Sequence, residues 1–433
     1  MNLFKQILIL VFLLHLHFLQ AQEVKTIYLK TKTIKLPYGL TQNVLETEPV
    51  IGLALSGGGA RGLAQIGVIR ALEEAGINIG AIAGTSMGSI IGGAYASGYT
   101  VDEMDSIVMN TDWDKLLLIN NPSERRELFV DQKINEDRSL FTVRLNGFSP
   151  VLPTSFNEGI RLSNYLTLLC LSSPVISENS FDDLFIRYRA VCTNLIDGGP
   201  VILSSGSLAR AMRASSSVSF LLTPIVVDSL TLVDGGLVSN IPVSAVSGLG
   251  VDYVIAVNTT SDFRKEEELE LPWNIADQVV SIPMKRLEQA ELLKANFHLQ
   301  PNLNHWSSTD FINIDSLILT GYHYTKRLVP AIKAQIDSVT KAKSGLNLFW
   351  IKNVKSESNA GDFENQYLQK YSLMDSVSSF EVFKDMTELY KTGSFDSLSV
   401  FFEQDGDSTK INFYYTATPP INEIEIFSDG TID

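Results

Sequence analysis

Cysteine and histidine are scarce in this chain, and positive charge is in deficit. Only 2 cysteines occur in 433 residues, too few for a disulfide framework or a multi-cysteine metal site. Lys and Arg number 34 against 49 Asp and Glu, a formal net charge of −15. An acidic surface repels phosphate backbones, so nucleic acid is not an expected partner. No long uninterrupted apolar run follows the N-terminus, so no later segment reads as a membrane-spanning helix. Charged residues make up 19% and hydrophobic residues 45%. A disordered chain would be richer in charge and poorer in apolar residues. No cluster of His, Cys and carboxylates has ligand spacing, so neither a metal nor a cofactor is expected.

The first 21 residues carry a targeting pattern. Lys5 supplies a positive start, Ile7 to Leu19 is apolar except for His15 and His17, and Leu19-Gln20-Ala21 fits a small-residue cleavage site. The apolar stretch is too short to span a bilayer, so residues 1–21 read as a secretory signal peptide. The protein is then exported, periplasmic or associated with an outer membrane. Residues 22–47 form a lead segment. Composition changes near Lys341–Gly345. Residues 346–433 hold 6 Lys, no Arg, 15 acids and 15 aromatics. That break predicts a second small domain over 346–420, with 421–433 starting a further element. The two cysteines, Cys170 and Cys192, sit in apolar elements and read as buried thiols.

Residues 48–340 alternate between strand-like and helix-like segments. Val50–Ser56 and Ile77–Ala83 are short apolar strands, each followed by a helix, Leu63–Ala75 and Met87–Ser97. Further strands are expected at Tyr188–Asn194, Val201–Ser204, Thr231–Asp234 and Val251–Asn258. This is the signature of an α/β fold with a mostly parallel sheet covered by helices. Residues 101–186 are less regular. Their apolar runs Leu116–Ile119 and Leu166–Leu169 are candidates for lining an acyl channel.

Three motifs carry the chemistry. Ser56-Gly57-Gly58-Gly59-Ala60-Arg61-Gly62 places glycines between a strand and a helix, where backbone N–H groups can hold an anion. The spacing Gly57-x-Gly59-x-x-Gly62 also fits a dinucleotide fingerprint. That fingerprint needs an acid at the end of the second strand, where this chain has Ala81-Ile82-Ala83-Gly84. At that strand end stands Gly84-Thr85-Ser86-Met87-Gly88, a G-x-S-x-G elbow that presents Ser86 as a nucleophile. No histidine lies between Ser86 and His298, and His298, His305 and His323 read as structural or surface positions. The base is therefore expected to be a carboxylate. Asp234-Gly235-Gly236 ends an apolar strand and can supply one. Asp197-Gly198-Gly199 repeats the triplet but lies between two strand-like runs, as a hairpin turn does.

Gly57–Gly62, Gly84–Gly88 and Asp234–Gly236, in this order and spacing, resemble the patatin-like phospholipase family over roughly residues 48–340. The resemblance implies a three-layer α/β fold and a Ser–Asp dyad of Ser86 and Asp234. It also implies an oxyanion hole built on Gly57, Gly58 and Gly59, and a lipid or other acyl-ester substrate. Arg61, Gly62, Gly84, Gly88, Gly235 and Gly236 fall on supporting positions. Arg213–Phe220 resembles the family's serine-rich segment, with Ser219 where a proline is usual.

The order of elements after residue 346 resembles a POTRA domain, a small α+β module that precedes outer-membrane barrels. That resemblance implies barrel or assembly partners. Two alternatives stand beside the acyl hydrolase: a non-enzymatic module whose tail pairs with partner strands, and a nucleotide-binding α/β protein.

Overall fold

A short apolar strand with large side chains on one face and small residues on the other can be buried between two helical layers. Residues 51–55 (Ile-Gly-Leu-Ala-Leu) have this pattern. In the computed structural model, which describes residues 25–117, 144–146, 149–151, 157–177, 179–219, 221–355, 362–405 and 407–418, they form strand β1. Seven more strands complete its sheet: β2 (Ile79–Thr85), β3 (Arg187–Asn194), β4 (Pro200–Leu203), β5 (Ile225–Val227), β6 (Leu230–Asp234), β7 (Tyr253–Val257) and β8 (Phe297–Leu299). The order is β5-β6-β3-β2-β1-β7-β8, with β4 paired to β3. The run from β3 to β8 is parallel, and β4, β5 and β6 add antiparallel pairs at one side.

Period-two alternation sorts the strands' side chains between two cores. Leu53, Leu55, Ile82, Tyr253, Ile255 and Val257 enter a large apolar cluster with helices α1 (Ala64–Glu74) and α2 (Met87–Ala96). Ala54, Ala81, Ala83, Val254 and Ala256 face the other way, against Ile241, Val243 and Val246. The small residues let the second helical layer come close. The result is the three-layer fold expected from the sequence.

The helix at Ile160–Leu171 corrects one expectation. Leu162, Leu166 and Leu169 recur at helical spacing and are buried in the main core, while Thr167 and Leu168 are exposed, so the two buried leucines of the run 166–169 are core packing rather than channel wall. Leu116 packs partly against the same core; Ile119 lies outside the described residues. Cys192 is buried and Cys170 half-buried, and both are free thiols. Burial pushes both thiols upward in pKa, which leaves them protonated and unreactive.

The chain divides into two compact units. One holds Ile34–Gln42 and Pro49–Val339; the other holds Thr340 onward together with the segments up to Thr33 and Asn43–Glu48. Within the second unit a long hairpin, Phe395–Asp405 with Ser408–Ala417, packs against the helix Ser379–Lys391 around Val382, Phe383, Met386, Leu398, Val400 and Phe402. Its sheet contains a strand that composition did not foreshadow. Lys25–Tyr28 pairs antiparallel with Ser399–Phe402, and Ile27 is fully buried there. The expected lead segment 22–47 is therefore partly a strand of the tail's own sheet. Four residues with one inward apolar side chain give no composition signal. The proposed signal peptide and the element at 421–433 lie outside the described residues.

Candidate active site

The end of β2 delivers the elbow. Ser86 has φ +54° and ψ −124°, a strained conformation costing on the order of 1–3 kcal/mol for a residue with a side chain. The turn closes because its flanks lack side chains. A Cβ on Gly84 would collide with the Gly88 carbonyl, and one on Gly88 would collide with the carbonyls of Leu55 and Ser56. Helix α2 then starts directly at Met87, and the Ser86 carbonyl accepts from the Ser89 N–H at 2.9 Å and the Ser89 hydroxyl at 2.7 Å.

Register brings Asp234 to the same level. Thr85 pairs with Val191, and Asp234 pairs with Cys192, the next residue of the intervening strand β3. Gly235 then folds over the end of β3. A Cβ there would strike the Val191 carbonyl and stand 3.1 Å from Thr85 Cγ2. The Thr85 hydroxyl donates to the Ser239 carbonyl at 2.7 Å and closes the crossing. The Asp234 carboxylate accepts the Gly236 N–H at 2.7 Å and lies in hydrogen-bonding reach of the Ser86 hydroxyl. Burial pushes the carboxyl up to about 6, opposed by those two hydrogen bonds. It is thus ionised at neutral pH yet basic enough to take a proton.

The glycine loop lies against the serine. A Cβ on Gly57 would stand 3.1 Å from Ser86 Cβ and would collide with the Asn240 carboxamide oxygen. The Gly57 N–H donates to the Asn240 carbonyl at 3.1 Å, and the Ala60 N–H to the Ser308 carbonyl at 2.8 Å. Among the described residues, the N–H groups of Gly58 and Gly59 have no acceptor. Of the three expected oxyanion donors, Gly58 and Gly59 are therefore available. Gly57 contributes its missing side chain instead, because its N–H is already engaged. Gly59 has φ +58°, where a side chain is disfavoured.

Arg61 has a structural place. It is buried, and its Nε and Nη2 donate to the carbonyls of Thr259 and Thr260 at 3.1 and 2.8 Å. Desolvation lowers its pKa and nearby Asp262 opposes this. Gly62 allows close approach of Met87.

The serine-rich segment from Arg213, together with residues that sequence reasoning passed over, positions the pair. The Ser86 N–H donates to Ser215 Oγ at 3.1 Å, and that hydroxyl donates to the Val191 carbonyl at 2.6 Å. The Asp234 N–H donates to the Ser217 carbonyl at 2.9 Å. The serine-rich stretch at the end of helix α3 (Leu208–Ser215) therefore holds both members of the pair by their backbones. Arg213, buried and with its pKa lowered by burial to about 10, donates to Ser217 Oγ at 2.5 Å and steadies that stretch. Behind the glycine loop, Ser56 Oγ accepts the Thr259 N–H at 2.8 Å, and Gln65 Nε2 donates to the Ser56 carbonyl at 2.7 Å. Polar residues within an apolar strand–turn–helix are the signal that could have found Ser56 and Gln65. Thr259 lies some 200 residues away in the chain and had no such signal.

The remaining candidates stand apart. Asp197 is exposed in the β3–β4 turn, where its side chain accepts the Gly199 N–H at 2.8 Å. His298 is exposed on edge strand β8, with β7 and β1 between it and β2; three strand spacings amount to roughly 14 Å. His305 and His323 are exposed.

Residues 53–247 match the family model described as Patatin-like phospholipase. The chain carries a patatin-like phospholipase domain. All three motifs fall inside that match. The curated relatives include the lysophospholipase NTE1 of Scheffersomyces stipitis, 28% identical over 336 residues, covering 70% of this chain and 20% of that protein. The lysophospholipase nte1 of Aspergillus oryzae is 28% identical over 314 residues, covering 66% and 18%. The chain spans about a fifth of the length of the curated relatives it matches. Among solved structures, VipD from Legionella pneumophila overlaps with a TM-score of 0.38 at 16% identity, covering 82% of this chain and 80% of that one. The patatin-like domain places Ser86 and Asp234 on the two strand ends that flank β3.

Proposed function

We propose that the patatin-like domain hydrolyses acyl esters of lipids with Ser86 as nucleophile and Asp234 as its base. The observation that carries this reading is the meeting of a strained serine elbow with a buried carboxylate whose pKa is raised to about 6. Ser86 Oγ attacks the ester carbonyl carbon as Asp234 accepts its proton. The oxyanion of the tetrahedral adduct takes hydrogen bonds from the Gly58 and Gly59 N–H groups. Collapse breaks the ester bond, and Asp234 returns the proton to the leaving alcohol. Water then attacks the acyl-serine by the same route, and the fatty acid leaves. Helix α2 adds its positive N-terminal end behind the developing charge. The family and its lysophospholipase relatives support a lipid substrate.

The seat of this activity is further proposed to be outside the cytoplasm, on the sequence of residues 1–21. The tail is proposed to be a POTRA-like module with barrel or assembly partners, on its small α+β make-up of two helices and five strands from Trp350 to Ala417, in the order strand–strand–helix–strand–helix–strand–strand. Addition of a partner strand at the 395–405 edge is disfavoured, because Lys25–Tyr28 already occupies it.

The test is a panel of acyl esters and lysophospholipids with the purified chain. Cleavage that survives chelator and prefers medium or long acyl chains over acetate is the expected result. Loss of turnover in EDTA, or a preference for acetate, would count against the proposal.

A further inference from the structure

A buried carboxylate that no motif marks stands behind the glycine loop. Glu288 lies on the helix Pro272–Leu292, 48 residues beyond Asn240 in the chain, and is buried. A buried charge needs a partner and filled hydrogen bonds. Glu288 has both. Its Oε2 accepts from Lys285 Nζ at 2.7 Å, one turn earlier on the same helix, and its Oε1 accepts from Asn240 Nδ2 at 2.6 Å. Thr260 Oγ1 stands 3.2 Å from Oε2 and accepts from Lys285 Nζ at 2.6 Å.

Both partners lead to the glycine loop. The Asn240 carbonyl accepts the Gly57 N–H at 3.1 Å, and the Thr260 carbonyl accepts Arg61 Nη2 at 2.8 Å. The acid is therefore tied to the two flanks of the segment that carries the Gly58 and Gly59 N–H groups. It also sets which way the Asn240 carboxamide turns. Because Nδ2 faces a carboxylate, Oδ1 faces away from it, between Gly57 and Gly236. A Cβ on Gly57 would stand 2.4 Å from that oxygen. One on Gly236 would stand 3.2 Å from it and 2.9 Å from Asp234 Oδ1. A single carboxamide is thus wedged between the oxyanion loop and the turn after Asp234. Without its acceptor it can rotate, and both backbones lose their common stop.

We propose that Glu288 is a positioning residue for ester hydrolysis, fixing the Gly58 and Gly59 N–H groups against Ser86 through Asn240. This rests on the hydrolase reading of Ser86 and Asp234. The acid touches no reacting atom, so its loss should lower kcat and leave KM in place. A carboxylate is needed there, and not just any polar group. In Glu288→Gln the new amide turns its N–H groups either to Asn240 Nδ2 or to Lys285 Nζ, a donor against a donor both ways. Adding Lys285→Met removes the conflict. The amide oxygen can then accept from Asn240 while its nitrogen donates to Thr260 Oγ1.

The full chain would carry Glu288→Ala, Glu288→Gln, Glu288→Gln with Lys285→Met, and Asn240→Ala with and without Glu288→Ala. Glu291→Gln is the control, since Glu291 holds the same helix to the Ser244 N–H at 2.7 Å instead. Turnover is read on a soluble ester, folding by circular dichroism, and the loop by hydrogen exchange at the Gly57 amide, which needs no turnover. Glu288→Ala and Glu288→Gln should lower kcat by roughly 10- to 100-fold with KM little changed, and should speed Gly57 exchange. Lys285→Met should restore most of the turnover lost in Glu288→Gln. In Asn240→Ala, removal of Glu288 should cost nothing further, and Glu291→Gln should match the parent. Unchanged kcat and exchange in Glu288→Ala, a loss carried by KM, or a full further loss in the Asn240→Ala background would overturn the proposal. If Asn240→Ala fails to fold, the Lys285 pair decides: a double variant no better than Glu288→Gln overturns it. A parent that cleaves no ester, yet whose Gly57 amide exchanges faster without Glu288, would overturn the hydrolase reading and leave the hold on the loop standing.

Discussion

Asp234→Asn should make the protein less active and more stable. The carboxyl is raised from an ordinary 3.8 to about 6, chiefly by burial. At 1.36 kcal/mol per pH unit, that difference is worth about 3 kcal/mol. Below the unfolded value the carboxyl is neutral in both states, and its burial carries no penalty. As pH rises through the folded value the group must ionise in a desolvated place, so this stability is lost between about pH 4 and pH 7. An asparagine has no such charge to bury. Urea melts of parent and variant from pH 4 to pH 8 would isolate the one carboxyl, because every other group cancels in the difference. The variant's advantage should grow by up to about 3 kcal/mol across that window and be smallest at pH 4. Its turnover should fall by about 10²–10⁴ from loss of the base. The parent's kcat/KM on a soluble ester should fall as pH drops through about 6. A stability difference that does not change with pH, or a variant less stable at pH 7, would refute the reasoning.

Other perturbations separate the parts. Gly57→Ala forces a Cβ against the Asn240 carboxamide and beside Ser86; displacement of the loop should lower kcat/KM by roughly 10²-fold, while circular dichroism shows an intact fold. His298→Ala, His305→Ala, His323→Ala and Asp197→Asn should each keep turnover within a few-fold, and a collapse in any one would replace the dyad. Ile27→Ala removes a fully buried side chain from the tail unit; a loss of about 2–4 kcal/mol should appear in denaturant melts without loss of soluble-ester turnover.

The main sheet was legible because its strands are short apolar runs bounded by glycine, which tertiary packing reinforces. β1, β2, β3 and β6 lie within one or two residues of where the pattern puts them. Ser86 and Asp234 were legible for a related reason: an elbow and an Asp-Gly-Gly turn need particular residues at fixed spacing. What escaped was the long-range hydrogen bonding. Nothing local marks Asn240 as the acceptor of the Gly57 N–H, so a loop that reads as three equal donors turns out to have its first one spent. Arg61 reads only as a supporting position, and the long-range contacts show what it supports: it braces the carbonyls of Thr259 and Thr260. The strand at Lys25–Tyr28 escaped because a four-residue edge strand owes its place to its partner, not to its own pattern. The helix Pro272–Leu292 shows the reverse case: the spacing of Ile275, Val279 and Ile282 alone would mark a buried face, and the structure leaves all three exposed.

The central claim is that Ser86 is the nucleophile and Asp234 its activator. A fluorophosphonate ester tests it most directly, since it phosphonylates an activated serine and the adduct can be placed by peptide mass spectrometry. Label on Ser86 in the parent is expected, with none in Ser86→Ala and labelling slowed by about 10²–10⁴ in Asp234→Asn. Label on another serine, or equal labelling in Ser86→Ala, would contradict it.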